Sequence, residues 1–99
     1  MKINGFYGIL TIMKVLTIKN LQREEGYIYY IRKYAGIAEL ESNGGTFEAD
    51  IAFSIETTPF GTKNIDIDIN NSINYPVLSV KKSLSEYIVS EDNEGHLPL

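Results

Sequence analysis

Residues 46 to 70 read TFEADIAFSIE (46–56), TTPFGTK (57–63) and NIDIDIN (64–70). Phe47, Ala49, Ile51, Phe53 and Ile55 alternate with Glu48, Asp50, Ala52, Ser54 and Glu56. Beyond the turn, Ile65, Ile67 and Ile69 alternate with Asn64, Asp66, Asp68 and Asn70. Successive side chains of a strand point to opposite faces, so the pattern predicts a hairpin with one buried and one wet face. Glu48, Asp50, Glu56, Asp66 and Asp68 gather on the wet face.

The turn fixes the register. Pro59 presets φ early in Thr58-Pro59-Phe60-Gly61, and Gly61 tolerates positive φ. Centring on Phe60 pairs Ile55 with Ile65, Phe53 with Ile67 and Ile51 with Ile69. Ser54 then meets Asp66 and Ala52 meets Asp68, so no two carboxylates face each other. Phe60 sits at the loop tip, where it either folds back over the sheet edge or makes contact with a partner.

Upstream, Ser42-Asn43-Gly44-Gly45 is a hairpin signal, because a type I′ turn needs positive φ at both central residues. Placing Asn43 and Gly44 at the centre sets Leu40 opposite Phe47 and Ala38 opposite Ala49. Two independent cues thus agree on one buried face. The same register sets Glu39 opposite Glu48, an unfavourable like-charge pair.

The N-terminal half is less regular. Val15 to Lys19 is β-prone, and Asn20 to Gly26 reads as a polar loop. Tyr27-Ile28-Tyr29-Tyr30-Ile31 has strand composition. A helix competes there, since Ile28, Ile31, Ala35 and Ala38 fall at helical spacing, but the aromatic density favours a strand. Ala35-Gly36 is expected to break or kink it. Toward the C-terminus, Val77, Val80, Leu84, Tyr87 and Ile88 recur at spacings of three and four. They predict an amphipathic helix of about 14 residues, capped by Asn74 with Pro76 at its first position. The tail His96-Leu97-Pro98-Leu99 either docks or hangs free.

The fold expectation is therefore α+β: an antiparallel meander of four or five strands with one C-terminal amphipathic helix on one face. The 99 residues suit one domain, and 43% apolar content can fill a core. Met13-Lys14-Val15 would be an ordinary protein start, so residues 1–12 read as an N-terminal extension or arm and 13–99 as the domain. No cysteine is present, which excludes disulfides and thiolate metal sites. A cytoplasmic location fits that composition. No apolar run approaches the ~20 residues of a membrane helix, so no membrane partner is expected.

Motifs for chemistry are scarce. Asp66-Ile67-Asp68-Ile69-Asn70 opens like a calcium loop, but Asn71 and Val77 occupy the positions that require Gly and a bidentate Glu. His96 is the sole histidine, which precludes a histidine cluster or relay. No nucleophile elbow, phosphate loop or cysteine nucleophile occurs. The sequon Asn70-Asn71-Ser72 has no secretion signal to give it meaning. The expectation is a non-enzymatic protein without a cofactor or metal.

Three partner classes follow from the surface residues. A lone helix leaves apolar and tyrosine surface to cover, and a homodimer is the simplest cover. Tyr27, Tyr29 and Tyr30 beside Arg32 and Lys33 could stack and neutralise single-stranded nucleic acid. The net charge of −4, with only nine basic residues, argues against that class. Glu48, Asp50, Asp66 and Asp68 would present an acidic face to a basic protein, as an inhibitor or antitoxin-like partner does.

Overall fold

The computed structural model describes residues 13–26 and 28–99. The reading of residues 1–12 as an arm lies outside them. Four strands form one antiparallel sheet: β1 (Lys14–Glu24), β2 (Ile31–Ser42), β3 (Gly45–Thr57) and β4 (Lys63–Ile69). They lie side by side in chain order, a meander, and α1 (Val77–Asn93) packs on one face. The α+β expectation holds.

Both predicted registers are realised. Leu40 faces Phe47, Ala38 faces Ala49 and Glu39 faces Glu48 across β2 and β3. Ile55, Phe53 and Ile51 face Ile65, Ile67 and Ile69 across β3 and β4. The first turn differs in type: among the described non-glycine residues only Asn20 has positive φ, and Gly45, at φ 137, takes the unusual conformation instead of Asn43 or Gly44. Gly45 absorbs the twist one residue later, so the pairing survives while the type I′ turn does not.

The largest departure concerns residues 20 to 36. The expected polar loop is strand: β1 continues to Glu24. Asn20 makes this possible at φ 53, a left-handed conformation that asparagine tolerates better than most residues. Between the pairs Lys19–Ile37 and Gln22–Ala35, two residues of β1 oppose Gly36 alone, which is a bulge. A Cβ on Gly36 would lie 3.1 Å from the Lys19 carbonyl oxygen and 3.2 Å from Leu21 Cα. Gly36 therefore does not break β2; its bare backbone lets the bulge settle against it. The chain reverses at Tyr29-Tyr30 instead, where the Ile31 N–H donates to the Ile28 carbonyl at 3.1 Å. The expected strand over 27–31 is thus mostly turn, because a longer β1 needs its reversal later.

The core lies between the sheet and α1. Val80, Leu84 and Ile88 are fully buried against Tyr34, Leu40, Ile51 and Ile55. Ala38 and Ala49, also fully buried, keep the centre of the sheet low beneath the helix. The helix starts without the expected Asn74 cap. Pro76, with φ −59 and ψ 123, takes the cap position and offers no side-chain acceptor. At the other end the predicted stop is met by a Schellman motif. The His96 N–H donates to the Glu91 carbonyl and the Gly95 N–H to the Asp92 carbonyl, with Gly95 at φ 75. The tail docks: Leu97 is buried and the Tyr34 hydroxyl donates to the Pro98 carbonyl at 3.3 Å. Among the described residues no helix is long and apolar enough to cross a membrane.

Candidate functional site

Two loops meet at one end of the sheet: residues 25–30 between β1 and β2, and residues 58–62 between β3 and β4. The Thr57 N–H donates to the Tyr30 carbonyl at 2.9 Å and ties them together. The second loop is internally braced. Its Gly61 N–H donates to the Thr58 carbonyl, its Thr58 N–H to the Thr62 carbonyl, and the two threonine hydroxyls lie 2.7 Å apart. Gly61 takes φ 86, the positive φ its place in the turn suggested.

This bracing holds Phe60 out in solvent at 92% exposure, and Tyr29 beside it is 94% exposed. Phe60 does not fold back over the edge. Tyr30 meets Tyr29 edge-on, with centroids 5.5 Å apart, and Ile28 is also exposed. Tyr29, Tyr30, Glu56, Thr58 and Pro59 line a groove between the loops. No residue from 28 to 30 or from 58 to 62 is charged.

The basic members of the predicted tyrosine strip do not join this patch. Alternation along β2 sends Arg32 to the helix face and Lys33 to the open face. Arg32 forms a two-pronged bond to Asp92 at 2.8 and 3.0 Å and donates to the Tyr34 hydroxyl at 3.2 Å. Lys63 reaches the same carboxylate at 2.5 Å. Asp92 sits in the last turn of α1, where the helix dipole disfavours an anion, and these two cations offset that. The hydrogen bond from Arg32 holds the Asp92 carboxyl down at about 2, and its partner guanidinium is pushed above the usual arginine range. Arg32 is thus a fastener between sheet and helix. Tyr27 lies outside the described residues.

The four predicted acidic-face residues, Glu48, Asp50, Asp66 and Asp68, are brought together on the open face and are all exposed. Glu48 is ion-paired with Lys19, whose pKa is raised by that hydrogen bond and charge. Lys19 also feels Glu39, so the like-charge pair seen in the register has a cation beside it. Asn71 extends the ladder beyond β4: its Oδ1 accepts the Asp50 N–H at 2.8 Å and its amide donates to the Glu48 carbonyl. Asp66 and Asp68 enter no ion pair among the described residues.

Sequence reasoning set His96 aside, yet the Schellman turn places its Nδ1 3.2 Å from Glu91 and 3.5 Å from Glu94. When protonated, the ring there complements both carboxylates and the negative end of the helix dipole. The only early signal was Gly95, whose stop geometry brings residue 96 back over residue 91.

The model of one protein family, the BB_0187 family, matches residues 10–92. No curated protein and no solved structure matches the chain.

Proposed function

This chain belongs to the family whose model it matches over residues 10–92, and we propose that it is a small, non-enzymatic, cytoplasmic interaction module that pairs with a second copy of itself through the aromatic end of its sheet. The near-complete exposure of Tyr29 and Phe60 on two braced, adjacent loops carries this reading. Tyrosine and phenylalanine are enriched in interface cores, and rigid presentation lowers the entropy lost on contact. The absence of charge from residues 28–30 and 58–62 favours a second copy. Two such patches meet without repulsion although each chain carries a net charge of −4. Single-stranded nucleic acid is supported less well, because Arg32 is committed to Asp92.

Light scattering of the full chain at tens of micromolar tests the reading. The expected result is twice the mass of one chain, falling to a single chain's mass in the double variant Tyr29→Ala, Phe60→Ala with its circular dichroism unchanged. A monomeric native chain that binds oligonucleotides at low salt, with loss on Tyr29→Ala, would move the assignment to the nucleic-acid class.

A further inference from the structure

The two edges of the sheet are built differently. The outer edge of β1 is interrupted by bulges at Leu16 and at Asn20-Leu21, devices that keep an edge from pairing with another strand. β4 has neither bulge nor proline, its register against β3 is unshifted, and among the described residues no strand pairs with its outer side.

The phase of the ladder identifies the outward backbone groups. The Asn70 N–H donates to the Asp50 carbonyl, and the Thr58 N–H to the Thr62 carbonyl. Antiparallel bonding alternates by residue, so Asn64, Asp66 and Asp68 bond inward to β3. The N–H and C=O groups of Ile65, Ile67 and Ile69 then point to the outer edge. An added strand would meet isoleucines on its helix-side face and the exposed Asp66 and Asp68 on the other.

Charge selects the occupant. The two-fold register that pairs all three isoleucines of two β4 strands sets Asp66 opposite Asp68 twice, and like charges directly opposite are destabilising. A second copy of this chain is therefore repelled here. A strand with cations at those positions is attracted, because neither aspartate has an ion-pair partner among the described residues.

We propose that the outer edge of β4 receives an extended segment of a partner protein that alternates basic with apolar residues, added as a fifth strand. The added backbone bonds to Ile65, Ile67 and Ile69, its basic side chains pair with Asp66 and Asp68, and its apolar side chains continue the helix-side face. This surface is separate from the aromatic end and does not depend on it.

The test uses the full chain and synthetic peptides as long as β4, seven residues. One alternates valine with lysine, one alternates valine with glutamate, and one carries the same lysines and valines in two blocks. The alternating lysine peptide is expected to slow hydrogen exchange at Ile65, Ile67 and Ile69 by about tenfold or more. The double variant Asp66→Lys, Asp68→Lys changes two exposed side chains and is expected to prefer the glutamate peptide. Equal binding of the blocked peptide overturns the proposal, since it would reflect net charge alone. So does protection of these amides in the free chain, or an unchanged preference in the charge-reversed variant.

Discussion

Asp92 shows how far a residue's role depends on its surroundings. In sequence it is one acid in the run Ser90 to Glu94. In the fold its side chain is nearly buried and is gripped by Arg32 and Lys63 from β2 and β4. Its pKa of about 2 lies below the ordinary 3.8, so its ionised form stabilises the folded state. That contribution is complete above about pH 4 and is lost as pH falls toward 2. Asp92→Asn is expected to lower unfolding free energy by about 2 kcal/mol at pH 7. Urea titrations of both proteins should show the gap narrowing below pH 4. A gap independent of pH would mean that Asp92 acts through packing rather than charge. Reading Arg32 as a nucleic-acid contact failed here, because its partner lies 60 residues away and no local pattern connects them.

At the scale of elements, the two hairpins flanking β3 were legible because turn chemistry and alternation gave the same register. The connection from β1 to β2 was not. Its tyrosines have high β-propensity, yet propensity is weak against the geometry of pairing. Asn20 looks like a loop residue in sequence, and only β2 opposite it turns it into a bulge. Gly36 is the complementary half of that device. Gly36→Ala brings a Cβ within 2.9 Å of Ile18 Cγ2 as well as against the bulge backbone. The expected cost is about 1–3 kcal/mol, read as a lower denaturation midpoint. Faster exchange should be confined to amides of β1 and β2. No loss of stability would show that the bulge relaxes freely and does not require glycine.

At the scale of the whole molecule, one helix closes one face of a four-stranded sheet. The sequence argument held that a lone helix would leave much of the sheet uncovered. Coverage is better than that, because Ile73, Tyr75 and Leu97 from the flanking segments pack against the core, and Tyr75 stacks on Phe47 at 4.0 Å. The exposed apolar side chains lie instead at the loops and at the ends of α1 and the chain. Leu84 is fully buried at the centre of this arrangement. Leu84→Ala should cost about 2–5 kcal/mol, a large share of the ~5–15 kcal/mol typical of such domains. Equilibrium denaturation measures it, and a loss below about 1 kcal/mol would mean that α1 collapses readily onto the sheet. The sequence by itself determined the α+β class, the registers of β2 with β3 and β3 with β4, the acidic open face and the helix stop at Gly95. These depend on alternation and turn residues, which act over a few positions. Only the tertiary structure decided that β1 passes through Asn20, that Arg32 faces Asp92, and that Tyr29 and Phe60 stand together. Those outcomes depend on which strands become neighbours, and neighbours distant in the chain leave no periodic trace in it.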